Sequence, residues 1–324
     1  MKAIVQREYG PPLEVLRYED VDDPRPGDGE VAVQVRAAGV NALDWHLVTG
    51  EPRVMRVVGM GLRRPKRSGV GRDVAGVVEA VGAGVTRFHP GDEVFGWCTG
   101  AFAELVVTRE DSLVAKPPNV SFEQAAAVPV AAITALQGLR DQGEVVDGDR
   151  VLITGASGGV GTFAVQLAKH LGAEVTAVCS TRNLELVRSI GADHVVDYTR
   201  EDFTTSGTRY DVILDIAGRP SLLGCRRSLQ PGGRLVLAGG EGGRWVGPLP
   251  RMARALLLGL VGDRTVRAFE AKETQEDTLV LAELLAAGHL SPVIDRTYDL
   301  ADAPEAVRYL EEGHTQGKVV LTIS

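Results

Sequence analysis

The chain has 324 residues, of which 44% are hydrophobic and 24% are charged, so two globular domains of ordinary size are expected. Its formal net charge of −8 argues against a general affinity for nucleic acid or for anionic membranes, and we expect neither as a partner. Three scattered cysteines do not form a disulfide framework, and no export signal or membrane-spanning run is recognised, so we expect a soluble cytoplasmic protein.

The first 120 residues are typical of short strands separated by Gly and Pro. Residues 30–37 alternate between apolar and polar side chains, and residues 73–80 and 103–107 are also strand-like. This part of the chain predicts a compact, mostly antiparallel β-domain.

At Ser121 the pattern becomes helical. Ser121 and Gln124 have the spacing of a capping box, in which two side chains satisfy the free amides at a helix start. Because Pro129 interrupts the alanine-rich run that follows, we predict a short helix, a kink and a second helix to about Gln142.

From residue 150 onward, predicted strands alternate with helices. The strands are residues 150–154, 174–179, 194–197, 211–216, 234–238 and 265–269. Continuous apolar strands with helical connections predict a parallel sheet covered on both faces. The segment from residue 291 returns to β character around a helix at 303–312, so we assign it to the first domain. The expected fold is therefore α/β, with a discontinuous β-domain (1–121 and 271–324) and a doubly wound Rossmann domain (122–270).

A glycine-rich loop, TGASGGVG at residues 154–161, lies between a buried strand and an amphipathic helix. Glycine at 155, 158 and 161 lets the backbone turn sharply, approach a pyrophosphate and pack the helix on the strand. The helix N-terminus then offers amide donors and a positive dipole end to phosphate. The expected cofactor contacts in this loop are Gly155, Ser157, Gly158, Gly159, Val160 and Gly161.

The end of the second strand of this domain indicates which nicotinamide cofactor binds. NAD-binding sites carry an acidic residue there for the ribose hydroxyls, whereas this chain has Ser180, Thr181 and Arg182. Two hydroxyls and a guanidinium suit a 2′-phosphate, so we predict NADPH. The alternative is that Ser180 caps the next helix and Arg182 is a solvated residue of its first turn.

The loop also fits the cofactor signature of short-chain dehydrogenases, which use a Tyr with a Lys four residues later. None of the six tyrosines has Lys at that offset, so this alternative is excluded.

Five segments, at residues 35–50, 71–96, 125–139, 151–180 and 317–323, resemble the medium-chain dehydrogenase/reductase superfamily in order and spacing. Within it the chain is most similar to the zinc-independent, quinone oxidoreductase-like branch. The resemblance implies a GroES-like β-domain, split in sequence, around a Rossmann domain. The same fold also serves non-catalytic structural or NADPH-sensing proteins, which is the alternative function.

Zinc members of the superfamily carry metal ligands where this chain has Asn41 and the sequence Gly71-Arg72-Asp73, and only Cys98 remains of a four-cysteine lobe. Because a zinc site needs three or four converging ligands, we expect no metal. Without a Lewis acid, hydride transfer suits an acceptor that is already electrophilic, namely a quinone or an α,β-unsaturated carbonyl.

The resemblance also implies roles for individual residues. It places Asn41 near the nicotinamide and the substrate, Thr134 beside the nicotinamide ribose, and Tyr198 near the adenosine 2′-phosphate. Trp45 and His46 are candidates for lining the substrate pocket, and Asp44 is as well explained by a structural role. Further cofactor contacts are expected at Gly218, Ala238, Gly239, Gly240 and Lys318.

Two surface features remain. Residues 51–67 carry six basic side chains among apolar ones, which fits either a lid with a role in gating or anion capture, or a solvated loop. An apolar edge strand at 265–269 suggests a homodimer, although the charges of Arg264, Arg267 and Glu270 are equally compatible with a protected monomeric edge.

Overall fold

The computed structural model describes residues 1–54, 56–239, 247, 249–259, 262–313 and 315–324, with the backbone alone at 58, 59, 252 and 256. The described chain divides into two compact units. Residues 1–133 and 273–324 form the first unit, and residues 134–272 form the second.

The first unit is built on β-structure. Its strands are β1 (Lys2–Gln6), β2 (Leu16–Asp20), β3 (Glu30–Val40), β4 (Asp73–Val81), β5 (Glu93–Trp97), β6 (Leu105–Arg109), β7 (Leu113–Ala115), β14 (Ile294–Asp299) and β15 (Lys318–Thr322). The helices that begin in it are α1 (Pro12–Val15), α2 (Ala42–Thr49), α3 (Phe122–Ala126), α4 (Pro129–Gln137), α9 (Gln275–Ala286) and α10 (Ala303–Glu311).

One seven-stranded sheet organises this unit. Its order is β14-β15-β3-β4-β5-β7, with β6 also paired to β3, and every pairing except β14 with β15 is antiparallel. The 11-residue β3 is long enough to pair with β15, β4 and β6. Its apolar positions are buried almost throughout. The predicted antiparallel β-domain is confirmed.

The second unit is a parallel α/β structure. Its strands are β8 (Arg150–Thr154), β9 (Glu174–Cys179), β10 (His194–Asp197), β11 (Tyr210–Asp215), β12 (Leu229–Leu237) and β13 (Thr265–Ala268). Its helices are α5 (Gly159–His170), α6 (Leu184–Ser189), α7 (Leu222–Arg227) and α8 (Leu249–Gly259). The strand order is β10-β9-β8-β11-β12-β13 with parallel pairing throughout, which confirms the Rossmann-type sheet.

The order reverses between β8 and β11, as it does in doubly wound sheets, so the carboxyl ends of these two strands flank a topological switch point. Ligands of open α/β sheets bind at that place. Strand β8, with its buried run of Val151, Leu152 and Ile153, therefore delivers the glycine loop to the position expected for a cofactor site.

Local structure also agrees with the sequence at the first helices. Ser121 accepts a hydrogen bond from the Gln124 amide, and the Gln124 side chain accepts one from the Ser121 amide, which confirms the capping box. Helix α4 begins at Pro129 and passes into a π-helical turn at Gly138–Gln142.

Three features differ from the sequence-based expectations. The unit boundaries lie at 133/134 and 272/273 rather than at 121/122 and 270/271, because α3 packs on β3 and β4 of the first unit. Strand β12 begins at Leu229, five residues before the predicted start at Arg234, because a register shift lets Leu229 pair with Tyr210. Helix α9 was not predicted, although Thr274 caps its N-terminus.

None of the described helices combines the length and the apolar character needed to cross a lipid bilayer.

Candidate active site and cofactor site

The glycine loop adopts the geometry that a dinucleotide requires. Gly155 has φ +67°, which only glycine adopts without strain. A Cβ on Gly161 would stand 2.1 Å from the Gly155 carbonyl oxygen, so this position packs the start of α5 against the loop. A Cβ on Gly158 would meet only that same oxygen, at 3.5 Å, so open space lies next to Gly158.

These three glycines therefore fit the roles of turn, close approach and helix packing. The 12-residue α5 begins at Gly159, and its first-turn amides at Gly159, Val160 and Gly161 have no partner within the helix. Amide donors at a helix N-terminus next to an open backbone fit a pyrophosphate group.

A buried hydrogen bond ties the loop to the next strand connection. The Asn183 side chain donates to Ser157 Oγ at 2.7 Å, and both side chains are buried. Ser157 was predicted from the sequence as a cofactor contact, whereas Asn183 was not. Because Ser157 Oγ accepts this hydrogen bond, the hydroxyl proton of Ser157 is available to donate to a phosphate.

The end of β9 holds the candidate 2′-phosphate residues. Ser180 is half-buried, while Thr181 and Arg182 are exposed. Tyr198, 54% exposed, follows β10, and its amide donates to the Cys179 carbonyl oxygen, which places Tyr198 beside the end of β9.

The structure also shows a carboxylate at this place that sequence reasoning missed. Asp197 pairs with Cys179 across β10 and β9, and it accepts hydrogen bonds from the hydroxyls of Thr181 and Thr199. The hydrogen bond from Thr181 lowers the pKa of Asp197, so the group is ionised. In this structure the Thr181 hydroxyl donates to Asp197, and its role as a phosphate donor stays a prediction. Arg200, 3.5 Å from Asp197, offsets the negative charge.

A second missed carboxylate lies at the switch point. Asp215, at the end of β11, is fully buried, and its Oδ1 accepts from the Thr154 hydroxyl at 2.6 Å and from the Gly218 amide at 3.0 Å. Its Oδ2 accepts from Arg251 of α8 at 2.6 Å. This network joins the end of β8, the turn after β11 and the start of α8, and it fixes Gly218 where a cofactor contact was expected.

A cavity of about 690 Å³ opens between that turn and one face of α8. Arg219, Arg251 and Arg254 line it together with Leu222 and Leu257. Its volume falls within the usual range of ligand pockets. Ala238 and Gly239 follow β12 at the same edge of the sheet, where the Ala238 amide donates to the Asp215 carbonyl oxygen. Gly240 lies outside the described residues.

In the first unit, four buried polar side chains form one cluster. Lys318 Nζ donates to Asn41 Oδ1 at 2.5 Å and to Asp73 Oδ2 at 3.4 Å, and Asn41 Nδ2 donates to Asp73 Oδ2 at 2.9 Å. Asp44 Oδ2 accepts a hydrogen bond from the Asn41 backbone N–H at 2.8 Å. Asn41 is 7% exposed, Lys318 3%, and both aspartates 0%.

Burial has a strong effect on the two carboxyl groups. It raises the pKa of Asp44 to about 7, and it also raises the pKa of Asp73, where the Lys318 ammonium opposes the shift. Asp44 Oδ1 has no hydrogen-bond partner among the described residues, which agrees with a carboxyl group that is costly to ionise.

These contacts show what surrounds two residues expected to contact the cofactor, and both roles stay predictions. The Asn41 side-chain amide donates to Asp73 and faces the Gly39 carbonyl oxygen at 3.5 Å. Lys318 donates to the Val40 carbonyl oxygen, to Asn41 and to Asp73. Both residues hold the N-terminus of α2 in place.

Helix α2 presents the other two catalytic candidates. His46 Nδ1 lies 2.7 Å from the Glu51 carbonyl oxygen, so Nδ1 carries the proton and Nε2 remains to exchange one. Trp45 packs edge-to-face on His46, with ring centroids 5.0 Å apart, and its buried indole N–H has no partner among the described residues. Thr134, the first residue of the second unit, is half-buried in α4.

A split, mostly antiparallel β-unit and a parallel sheet with a dinucleotide-type glycine loop define a nicotinamide-dependent dehydrogenase or reductase. Comparison with known proteins agrees. Residues 27–118 match the alcohol dehydrogenase GroES-like domain, and residues 190–321 match a family described as zinc-binding dehydrogenase.

Whole-chain relatives narrow the family further. The chloroplastic quinone-oxidoreductase QR1 of Triphysaria versicolor is 33% identical over 99% of this chain and 98% of its own length. The spectinabilin polyketide synthase protein NorB of Streptomyces orinoci is 37% identical over 91% of this chain, which spans only 13% of NorB.

Solved structures show the same fold. Escherichia coli quinone oxidoreductase in complex with NADPH is 28% identical, with a TM-score of 0.85 over 99% of this chain and 100% of that one. An NAD-dependent alcohol dehydrogenase is 31% identical, with a TM-score of 0.84 and full coverage of both chains. The chain belongs to the quinone oxidoreductase branch of the medium-chain dehydrogenase/reductase superfamily and is an oxidoreductase.

Proposed function

We propose that the protein transfers hydride from NADPH to a quinone or an α,β-unsaturated carbonyl and needs no zinc. The observation that carries this proposal is the glycine loop, whose open backbone at Gly158 and free helix amides suit a dinucleotide pyrophosphate. The quinone oxidoreductases among its relatives support the choice of acceptor.

Two side chains would bind the 2′-phosphate of NADPH. Arg182 follows β9 with an exposed guanidinium, and the Ser180 hydroxyl precedes it. Asp197 would repel a phosphate, but Arg200 offsets that charge, so Arg182 leaves the site with a net positive charge. NAD(H) remains the competing cofactor, because Asp197 lies where a ribose hydroxyl could be bound instead.

Zinc independence rests on the chemistry of the residues at the expected metal position. Asn41 and Arg72 stand where ligands would be required, and Arg72 pairs with Glu273 at 2.7 Å. The neighbouring buried ammonium of Lys318 would repel a divalent cation.

Bound NADPH would supply the hydride, and the chain would supply the proton. His46 is the proposed proton donor: the Glu51 carbonyl oxygen holds the Nδ1 proton, and the imidazolium form would give its second proton, on Nε2, to the acceptor and become neutral. The Trp45 indole N–H, which has no partner among the described residues, is the proposed second donor to the acceptor oxygen. A quinone or enone spreads the developing charge over its conjugated system, so such modest donors suffice without a metal.

Turnover is tested by following NADPH oxidation with simple quinones, enones and ketones, and NADP+ reduction with alcohols. We expect quinones or enones to react fastest, and His46→Gln to lower kcat about 100-fold while NADPH affinity stays the same. Faster oxidation of alcohols by metal-free protein would contradict the proposal. Binding of NADPH without turnover of any acceptor would favour the alternative, a non-catalytic NADPH-binding protein.

Cofactor choice is tested with Arg182→Ala. Loss of a charge-assisted contact should weaken NADPH binding by about 1.5–3 kcal/mol and leave NADH nearly unchanged. Arg188→Ala, which removes an exposed guanidinium from α6, is the matched control. Tighter binding of NADH than of NADPH by the unaltered protein would defeat the assignment.

A further inference from the structure

One segment of the first unit differs sharply in charge from the rest of the chain. Between Glu51 and Asp73 there are seven basic residues and no acidic one, in a protein with a net charge of −8. Arg72 is neutralised by Glu273, and Arg56 donates to the carbonyl oxygens of Gly50 and Thr49. We call residues 56–67 the basic loop. The remaining positive charge lies mainly in its distal part, residues 63–67.

The basic loop is firmly attached at its base. The Arg56 guanidinium stacks on the Tyr9 ring, 4.3 Å from its centroid. The Tyr9 hydroxyl lies 2.8 Å from the Met60 carbonyl oxygen and 2.9 Å from that of Gly61. The Gly61 amide donates to Arg56 O, and the Lys66 amide donates to Met60 O, so the loop folds back on itself. It is therefore an ordered surface rather than an extended strap.

The outer part of the loop combines apolar and cationic side chains. Val57 is 73% exposed and Leu62 67%, the two highest values among the large hydrophobic residues described. Arg63, Arg64, Lys66 and Arg67 are all exposed, and none of them forms an ion pair with a described residue. Arg67 is oriented by a hydrogen bond to the Thr99 hydroxyl.

We propose that the basic loop binds the surface of an anionic phospholipid membrane. The four cations would lie against the headgroups, while Val57 and Leu62 would enter the interfacial layer. Cationic side chains combined with exposed aliphatic ones are what peripheral membrane attachment requires.

Other anionic partners fit this surface less well. A small soluble anion gains nothing from the exposed apolar side chains of Val57 and Leu62. Single-stranded nucleic acid is bound through aromatic stacking, and no aromatic residue occurs between Glu51 and Asp73.

This proposal revises the expectation, drawn from the net charge, that the protein has no membrane partner. Electrostatic fields in solution decay over about 8 Å at physiological ionic strength, so acidic residues elsewhere do not cancel a local group of cations. Binding would need neither cofactor nor substrate, so the proposal stands or fails separately from the proposed catalytic function.

The test is co-sedimentation of the full chain with vesicles of pure phosphatidylcholine and with vesicles that also contain anionic phosphatidylglycerol. Three variants are compared with the unaltered protein. R63Q/R64Q removes two charges, V57S/L62S removes the apolar contacts, and R188Q/R227Q removes two exposed charges from the second unit. Thermal unfolding of each variant shows whether it is folded.

We expect binding to the anionic vesicles only, weakening as salt is raised. Each cation near an anionic surface increases partitioning about fivefold, so R63Q/R64Q should weaken binding about 25-fold. V57S/L62S should weaken it severalfold, and R188Q/R227Q should bind like the unaltered protein. Absence of binding to anionic vesicles would overturn the proposal, as would equal losses in R63Q/R64Q and R188Q/R227Q, or an unaffected V57S/L62S.

Discussion

Asp44 and Asp73 place two carboxyl groups beside one ammonium, that of Lys318, in the interior of the first unit. Burial penalises the ionised form of Asp44, and the neighbouring charge of Asp73 adds to the penalty, whereas Lys318 and Arg72 reduce it. Because its pKa in the folded protein is about 7, against an ordinary value of 3.8, Asp44 ionises at a cost as the pH rises.

The sign of this effect predicts a pH-dependent gain from Asp44→Asn. Between about pH 4 and pH 7 the folded state binds more protons than the unfolded state, so its stability falls as the pH rises. Asparagine at position 44 retains an oxygen that can accept from the Asn41 backbone N–H, but it cannot ionise. We expect the variant to be more stable by roughly 2–4 kcal/mol at pH 8, with the gain vanishing near pH 4, as measured by urea unfolding.

Asp73→Asn is the contrasting variant. It leaves the buried ammonium of Lys318 without a carboxylate partner among the described residues, so we expect a loss of about 3–5 kcal/mol at neutral pH. Equal stability of Asp44→Asn and the unaltered protein at pH 8 would show that the Asp44 carboxyl ionises there without penalty.

At the scale of secondary-structure elements, the β8–loop–α5 unit separates two uses of glycine. Gly161 is packed against the Gly155 carbonyl oxygen, whereas Gly158 has φ −85° and faces open space. Gly161 is required by the packing of the fold, whereas Gly158 is required by the ligand that would approach the loop.

This difference predicts opposite outcomes for two alanine substitutions. Gly161→Ala must displace backbone and should lower the unfolding free energy by roughly 1–3 kcal/mol, the usual cost of overpacking. Gly158→Ala should leave the thermal midpoint nearly unchanged and weaken NADPH binding at least tenfold, because its methyl group occupies the approach to the loop. Calorimetry and cofactor titration distinguish the two. Unchanged NADPH affinity in Gly158→Ala would place the pyrophosphate elsewhere.

Strand positions were predicted best where burial is continuous. Residues 150–154 and 174–179 were predicted as the structure has them, because these two strands are buried over nearly their whole length and their sequences are mainly apolar. Residues 194–197 were also predicted as found, although only Asp197 of this edge strand is buried. Helices α1, α2, α7, α8 and α9 were not predicted. In α9 the buried residues Leu281 and Leu285 are interspersed with exposed ones, so the sequence pattern of this helix is weak. The helix is recognised mainly from its tertiary contacts.

At the scale of the whole molecule, β13 is the edge of the six-stranded sheet. The sequence left open whether the charges of this strand protect a monomer. Arg267 donates to the Gln142 carbonyl oxygen and to Glu144, and Arg264 donates to the Gln230 carbonyl oxygen, so both guanidiniums are bound within their own chain. This arrangement leaves the backbone of β13 less protected than the sequence suggests.

We therefore propose a homodimer formed along β13. Sedimentation at micromolar concentration should give a mass near twice the 34.4 kDa of the chain. A single species at 34.4 kDa across this concentration range would exclude the dimer. The cytoplasmic location expected from composition stays a prediction.

The sequence by itself determined the class of fold and the family, because alternation of apolar residues, the capping box and the glycine spacing are local patterns with local causes. It also indicated the glycine loop and the end of β9 as the expected cofactor site. Only the tertiary structure decided which side chains are available there. Strand pairing brings Asp197 to Thr181, and burial encloses Asn41 with Lys318 and Asp73. Those contacts join residues far apart in sequence, and whether a polar group is free depends on the partners that folding brings to it.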